Sequence, residues 1–200
     1  QIIASRVQVV HVTVQGTAGF QPACFRCHWR RSARRWVMAH AGWRSRGYIP
    51  HCDSGSLIQH IVFSTIGHEG DDIGGCFGAR WLAKREAAAA MQEVLLHFDG
   101  DRYRIWAWCV VPNHVHAVVQ QGEGWELARI VHAWKSYSAN QINRLHGRRG
   151  SVWMREYFDR YMRDDDHLWT TIEYVENNPV KARLAAKPTD WPWSSAAWRG

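Results

Sequence analysis

The chain has 200 residues, 46% hydrophobic and 22% charged with only 6 Pro, a profile that supports one buried core and excludes collagen, long coiled coil and gross disorder. No run approaches the ~18 to 20 uninterrupted apolar residues of a membrane-spanning helix, so no membrane partner is expected. The formal net charge of +7 would suit a polyanion, but it is unevenly placed: Arg6, Arg26, Arg30, Arg31, Arg34 and Arg35 fall among residues 1–43, which hold no acid, and the remainder is close to neutral.

Residues 1–43 have clustered arginines and no sustained helical or strand period, so they read as a basic, poorly ordered extension. Residues 44–200 read as one domain. Cys24 and Cys27 have the spacing of one half of a zinc site, but no second half follows, and chance cysteines are the better reading. With Cys52, Cys76 and Cys109 they form an odd, scattered set that fits a reducing compartment, here the cytoplasm with its nucleoid.

Within the domain, residues 57–66 are apolar and β-rich and predict a buried first strand. A loop through Gly67, Gly70, Gly74 and Gly75 follows. Residues 80–98 carry Trp81, Leu82, Ala89, Val94 and Leu95 among good helix formers and predict a long helix, closed by Asp99-Gly100. Residues 103–111 and 114–120 predict a hairpin about Pro112-Asn113. The period of a helix returns over 125–145 and stops near Gly147 and Gly150. Residues 152–162 predict a fourth strand. Asp164 then offers an N-cap, with Asp165 and Asp166 in the first turn of a helix reaching Asn178, where Pro179 closes or kinks it. Strand, helix, strand, strand, helix, strand is the order of an α+β, ferredoxin-like split βαβ fold with an antiparallel sheet; the additional C-terminal helix bears Tyr174.

Chemistry concentrates in two places. On a strand, His114 and His116 point to the same face about 6 to 7 Å apart, so their imidazoles can converge on one ion while Val115 faces the core. On a helix, Tyr174 and Asn178 are four residues apart and share a face. A phenol can act as a covalent nucleophile and an amide oxygen can bind a hard metal, a combination that suits phosphoryl transfer. Each feature alone has a blander reading: a decorative HxH, a core-edge aromatic, a cap before Pro179.

Together these segments carry a resemblance. Residues 108–119 (WCVVPNHVHAVV), 151–164 (SVWMREYFDRYMRD), 174–184 (YVENNPVKARL) and 190–195 (DWPWSS) resemble the single-tyrosine HUH transposases, and within them the REP-associated tyrosine transposase branch. The similarity runs from about Trp43 to Trp198. It implies a metal-dependent enzyme that cleaves and rejoins single-stranded DNA beside hairpins through a 5′-phosphotyrosine. In that reading His114 and His116 are metal ligands, Asn178 is the third and Tyr174 is the nucleophile. Cys109, Val111, Met154 and Arg183 depart from the family's usual Val, Met, Gln and Gly. Arg183 replaces a residue suited to a left-handed helix exit, which implies a strained turn there.

Mixed imidazole and oxygen ligation implies Mg²⁺ or Mn²⁺. Lys135, Arg155, Arg160, Arg163 and Lys181 are candidate DNA contacts, with Trp134 or Trp153 as stacking platforms, although most Trp at such spacings are core. Trp191, Trp193 and Trp198 read as docking the C-terminal tail. The resemblance is compatible with a monomer or a homodimer. Two other readings remain: a domesticated, non-catalytic DNA-binding protein of the same fold, and a histidine-triad nucleotide hydrolase, which would need a histidine where Val118 stands.

Overall fold

The computed structural model describes residues 57–67 and 78–199 in full, together with the backbone of two short strands at 42–45 and 50–53. The Cys24/Cys27 pair, nearly all of the basic extension, and Gly70, Gly74 and Gly75 lie outside the described residues. The two short strands, β1 (Gly42–Ser45) and β2 (Pro50–Asp53), pair with each other antiparallel.

The main sheet comprises β3 (Ile58–Ser64), β4 (Tyr103–Val111), β5 (His114–Gln121) and β6 (Phe158–Tyr161) in the order β4-β5-β3-β6, every neighbouring pair antiparallel. Helix α1 (Arg85–Leu96) joins β3 to β4, and α2 (Leu127–Leu145) joins β5 to β6. Each crossover skips one strand, and a strand from the other half fills the gap. The expected split βαβ architecture is therefore the observed one.

One face of the sheet makes the core. Ile61 and Phe63 of β3, Trp108 and Val110 of β4, and Val115, Ala117 and Val119 of β5 are buried with α1 and α2. Helix α1 offers Ala87, Ala88, Met91 and Leu95, the alanines letting its backbone come close. Helix α2 offers Leu127, Ile130, Val131, Trp134, Ser138 and Ile142, a stripe of three- and four-residue steps. Several polar atoms in this core are paired. Tyr103 Oη donates to the Leu95 carbonyl at 2.9 Å and accepts from Trp134 Nε1 at 2.8 Å, and burial pushes its pKa up to about 12. Trp153 Nε1 donates to Ser138 Oγ at 2.9 Å. Trp134 and Trp153 are thus interior residues.

Two predicted elements are modified. The helix over 80–98 opens as a 3-10 turn at Trp81–Ala83, because Lys84 is extended (φ −70°, ψ 124°), and becomes α-helical only from Arg85. The strand over 152–162 is broken. Trp153 bridges Thr65, and Phe158–Tyr161 pairs with β3. Between them the Met154, Arg155 and Glu156 carbonyls turn to the Lys135 ammonium at 3.0, 3.2 and 3.1 Å. Burial pulls the pKa of Lys135 down to about 8, against the Glu156 carboxylate.

Beyond β6, helix α3 (Asp165–Glu176) is capped by Asp164, whose carboxylate accepts from the His167 N–H at 2.7 Å. After Asn177 a short helix, α4 (Asn178–Lys181), carries Pro179 in its first turn, where a missing N–H leaves no bond unmade. Pro179 kinks the path rather than ending it. The exit places Arg183 at φ 56°, the only positive φ of a non-glycine residue among those described. The expected left-handed turn is present, held by an L residue with a side chain.

The tail returns along the outer side of β4. Val110 N–H donates to the Trp193 carbonyl at 2.8 Å, Trp191 Nε1 donates to the Val110 carbonyl at 2.9 Å, and Ser194 bridges Cys109. The edge strand is covered, as the docking role read for these tryptophans requires.

Candidate active site

The alternation of β5 turns Val115, Ala117 and Val119 into the helical core, which sends His114 and His116 to the opposite face. Cross-strand neighbours share that face, so Cys109 and Val111 of β4, and Val62 and Ser64 of β3, flank the two histidines. Further along, His60 of β3 lies opposite Arg160 of β6, and Val62 opposite Phe158. Helix α3 packs across β4 and β5 on this face. Tyr174 is thereby brought beside the histidines.

His114 and His116 are buried, and their Nε2 atoms are 2.9 Å apart. His114 Nδ1 lies 2.8 Å from Asn113 Oδ1, an oxygen that can only accept, so Nδ1 carries the proton and Nε2 keeps a lone pair. Asn113, the second residue of the tight β4-β5 turn, therefore orients the ring. On the other side His116 Nδ1 lies 3.0 Å from His60 Nε2, the rings stacking at a centroid distance of 5.3 Å. The Tyr174 ring stands edge-on to both, 5.9 Å from His116 and 6.1 Å from His60.

Burial is the main reason that His60 and His116 resist protonation. The pKa of His60 falls to about 4, assisted by the positive charges of Arg160 and His167. That of His116 is held well below the ordinary histidine range, with His114 and His60 as the further causes. Near neutral pH these rings are uncharged and keep lone pairs for ligation.

The donor set fits a divalent cation. Two nitrogens about 2.1 Å from one ion and at right angles to each other are about 3.0 Å apart, close to the His114–His116 separation of 2.9 Å. Among the described residues no third His, Cys, Asp or Glu completes a cluster. His60 meets His116 through Nδ1, the nitrogen turned away from His114. An amide remains: Asn178 is buried, and its Oδ1 has no hydrogen-bond partner. A buried, unpaired carbonyl oxygen costs about 1 to 3 kcal/mol, and a cation would satisfy it. It opens α4, which packs against β4, the strand whose Cys109 and Val111 neighbour the histidines.

The basic candidates divide. Lys181 holds its ammonium 4.3 Å above the Tyr174 ring, and Arg160 is exposed on β6 across from His60. Arg163 is exposed just before α3. Arg155 is exposed in the interrupted segment, beside Glu156 at 3.9 Å. Lys135 instead turns inward to its three carbonyls. A shallow cleft beside the tyrosine is lined by Thr170, Glu173, Tyr174, Asn177, Val180 and Lys181. Glu176 faces the tail, accepting from Ser195 Oγ at 2.6 Å and pairing with Arg199 at 2.9 Å.

Two residues escaped the sequence reading. His60 is the one titratable side chain in the apolar run 57–66, and a polar group in a buried strand was the available signal. Phe158, 48% exposed and 6.5 Å from the His60 ring, carried no local signal.

Comparison with known proteins finds similarity over the segment that bears these residues. The family model described as "Transposase IS200 like" matches residues 81–178, a span that holds His114, His116, Tyr174 and Asn178. A protein of Haemophilus influenzae assigned as a REP-associated tyrosine transposase is 28% identical over 120 residues, 55% of this chain and 66% of that protein. The REP-associated tyrosine transposase of Escherichia coli is 24% identical over 106 residues, 52% of this chain and 62% of its own length. These alignments span just under two thirds of each relative. The solved structure of a REP-associated tyrosine transposase bound to a REP hairpin superposes with a TM-score of 0.55 at 19% identity, covering 78% of this chain and 83% of that one, which establishes the shared fold. The motif-bearing segment of the chain is thus similar to the IS200-like transposases, and its strand order is shared with a solved REP-associated tyrosine transposase.

Proposed function

We propose that the protein cleaves and rejoins single-stranded DNA next to hairpins, with Tyr174 as nucleophile and His114, His116 and Asn178 as the ligands of a Mg²⁺ or Mn²⁺ ion. The observation that carries this reading is the meeting, within one chain, of the Tyr174 ring and the His116 ring at 5.9 Å, with the His114 and His116 Nε2 atoms 2.9 Å apart. When bound, the ion would neutralise and polarise the oxygens of an anionic phosphodiester.

The chain's own groups do the rest. Tyr174 Oη attacks phosphorus, the bond from phosphorus to the 3′ oxygen breaks, the phenol gives up its proton, and the departing 3′ oxygen takes one up. The product is a 5′-phosphotyrosine and a free 3′-hydroxyl. Because the adduct is still a phosphodiester, a different 3′-hydroxyl can attack it and restore the phenol without ATP. Lys181 over the Tyr174 ring places positive charge where both the phenolate and the phosphate develop negative charge. Arg160 supplies a second cation along the open half of the sheet face.

Tyrosine and histidines come from the same chain, which supports a site complete in a monomer. The hairpin in the substrate is taken from the family relatives, one of which is solved on a REP hairpin. Incubation with a labelled single-stranded hairpin from beside its own gene, with and without Mn²⁺, tests the proposal. A denaturation-resistant protein–DNA adduct that requires Mn²⁺ and is lost in Tyr174→Phe supports it. Adduct formation by Tyr174→Phe overturns it, and hairpin binding with no adduct selects the non-catalytic DNA-binding reading.

A further inference from the structure

Whether one ion can be held by both His114 and His116 depends on where the proton of His116 sits. A neutral imidazole has one proton and one lone pair. His114 is protonated on Nδ1, because Asn113 Oδ1 accepts there at 2.8 Å. Where the two Nε2 atoms, 2.9 Å apart, share a hydrogen bond rather than an ion, the proton comes from His116 Nε2. His116 Nδ1 is left as an acceptor and takes the proton of His60 Nε2 at 3.0 Å. In that tautomer the lone pair of His116 points at His60, and none is left on Nε2 for an ion shared with His114.

For His116 to ligate through Nε2, its proton must move to Nδ1. Buried as it is, an Nδ1–H needs an acceptor, and the atom in place is His60 Nε2. His60 can become that acceptor by carrying its own proton on Nδ1. Each of the three rings still holds one proton, so the exchange is neutral. The rings of His60 and His116 are near-parallel, with 14° between planes and centroids 5.3 Å apart, and their facing nitrogens stay 3.0 Å apart in either state.

Resting on the metal reading above, we propose that His60 is a positioning residue: through the contact of its Nε2 with His116 Nδ1 it selects the tautomer of His116 that can ligate a divalent cation. Its part is that of the outer hydrogen-bond partner on a metal-bound imidazole, whose loss commonly costs about 10- to 100-fold in metal affinity.

The test is Mn²⁺ affinity measured by electron paramagnetic resonance on the whole chain, together with ¹⁵N spectra of the histidines with and without Zn²⁺ as a diamagnetic probe. His60→Phe keeps a ring against His116 but accepts nothing, and Mn²⁺ affinity should fall at least about tenfold. His60→Gln presents an amide oxygen as acceptor and should recover most of that loss. In the wild type, Zn²⁺ should move the His116 proton from Nε2 to Nδ1 and the His60 proton from Nε2 to Nδ1. Wild-type affinity in His60→Phe, or equal losses in Phe and Gln variants, would overturn the proposal. If His60→Phe fails to fold, the wild-type spectra still decide: a His60 tautomer that Zn²⁺ leaves unchanged rejects it. If His114→Ala and His116→Ala bind Mn²⁺ as well as the wild type, the metal reading itself fails, and that outcome is distinct from failure of His60 alone.

Discussion

Glu176, at the last turn of the tyrosine helix, pairs with Arg199 in the C-terminal tail at 2.9 Å, and both side chains are largely withdrawn from water. Arg199 also donates to the Trp106 carbonyl at 2.6 Å. A carboxylate two residues after the proposed nucleophile is thus tied to β4 through the tail.

Arg199→Ala should therefore loosen the seating of α3. The loss leaves Glu176 with Ser195 Oγ as its remaining partner, and a partly buried pair broken on one side costs about 1 to 3 kcal/mol. Urea denaturation should show a lower midpoint with an unchanged slope. A midpoint equal to that of the wild type would show that the pair contributes nothing.

Acid should destabilise the fold through His60. Its native pKa of about 4 lies below the ordinary 6.5, so the unfolded chain takes up a proton that the folded chain refuses between those values. Stability from this group is complete above pH 6.5 and falls progressively toward pH 4, by about 3 kcal/mol in all. In His60→Gln the slope of unfolding free energy against pH should flatten across this window, and an unchanged slope would count against the assignment.

Phe158 should matter to DNA and little to folding. It is 48% exposed beside His60 on the face that bears the tyrosine, and stacking of one base on an aromatic ring is worth about 1 to 3 kcal/mol. Fluorescence anisotropy with a labelled single strand should show about 5- to 100-fold weaker binding by Phe158→Ala, with the melting temperature nearly unchanged. Equal affinity would place the DNA path elsewhere.

Arg183→Gly should stabilise the protein. The left-handed conformation at φ 56° costs an L residue about 1 to 2 kcal/mol, from which the greater chain entropy of glycine removes about half. A gain of about 0.5 to 1 kcal/mol in thermal or chemical unfolding is expected, and a loss would mean that the Arg183 side chain holds contacts worth more than the strain.

The local parts of this protein were legible in its residues. The alternation from His114 to Gln121 put both histidines on one face because a strand repeats every two residues, and the hairpin about Pro112-Asn113 formed where expected. Asp164 capped its helix, and Arg183 took the left-handed exit, since both depend on the nearest few peptide groups. Strand and helix order implied the sheet order.

What depended on distant neighbours was not legible. The Lys135 ammonium broke the predicted strand over 152–162 by drawing three carbonyls away from the ladder, an interaction spanning about twenty residues of chain. His60 and His116 are separated by 56 positions and share no spacing rule, yet register between β3 and β5 makes them partners at 3.0 Å. The sequence determined which groups each strand and helix would present. Only the folded sheet decided which of those groups would meet, because hydrogen bonds between side chains reach about 3 Å and carry no memory of distance along the chain.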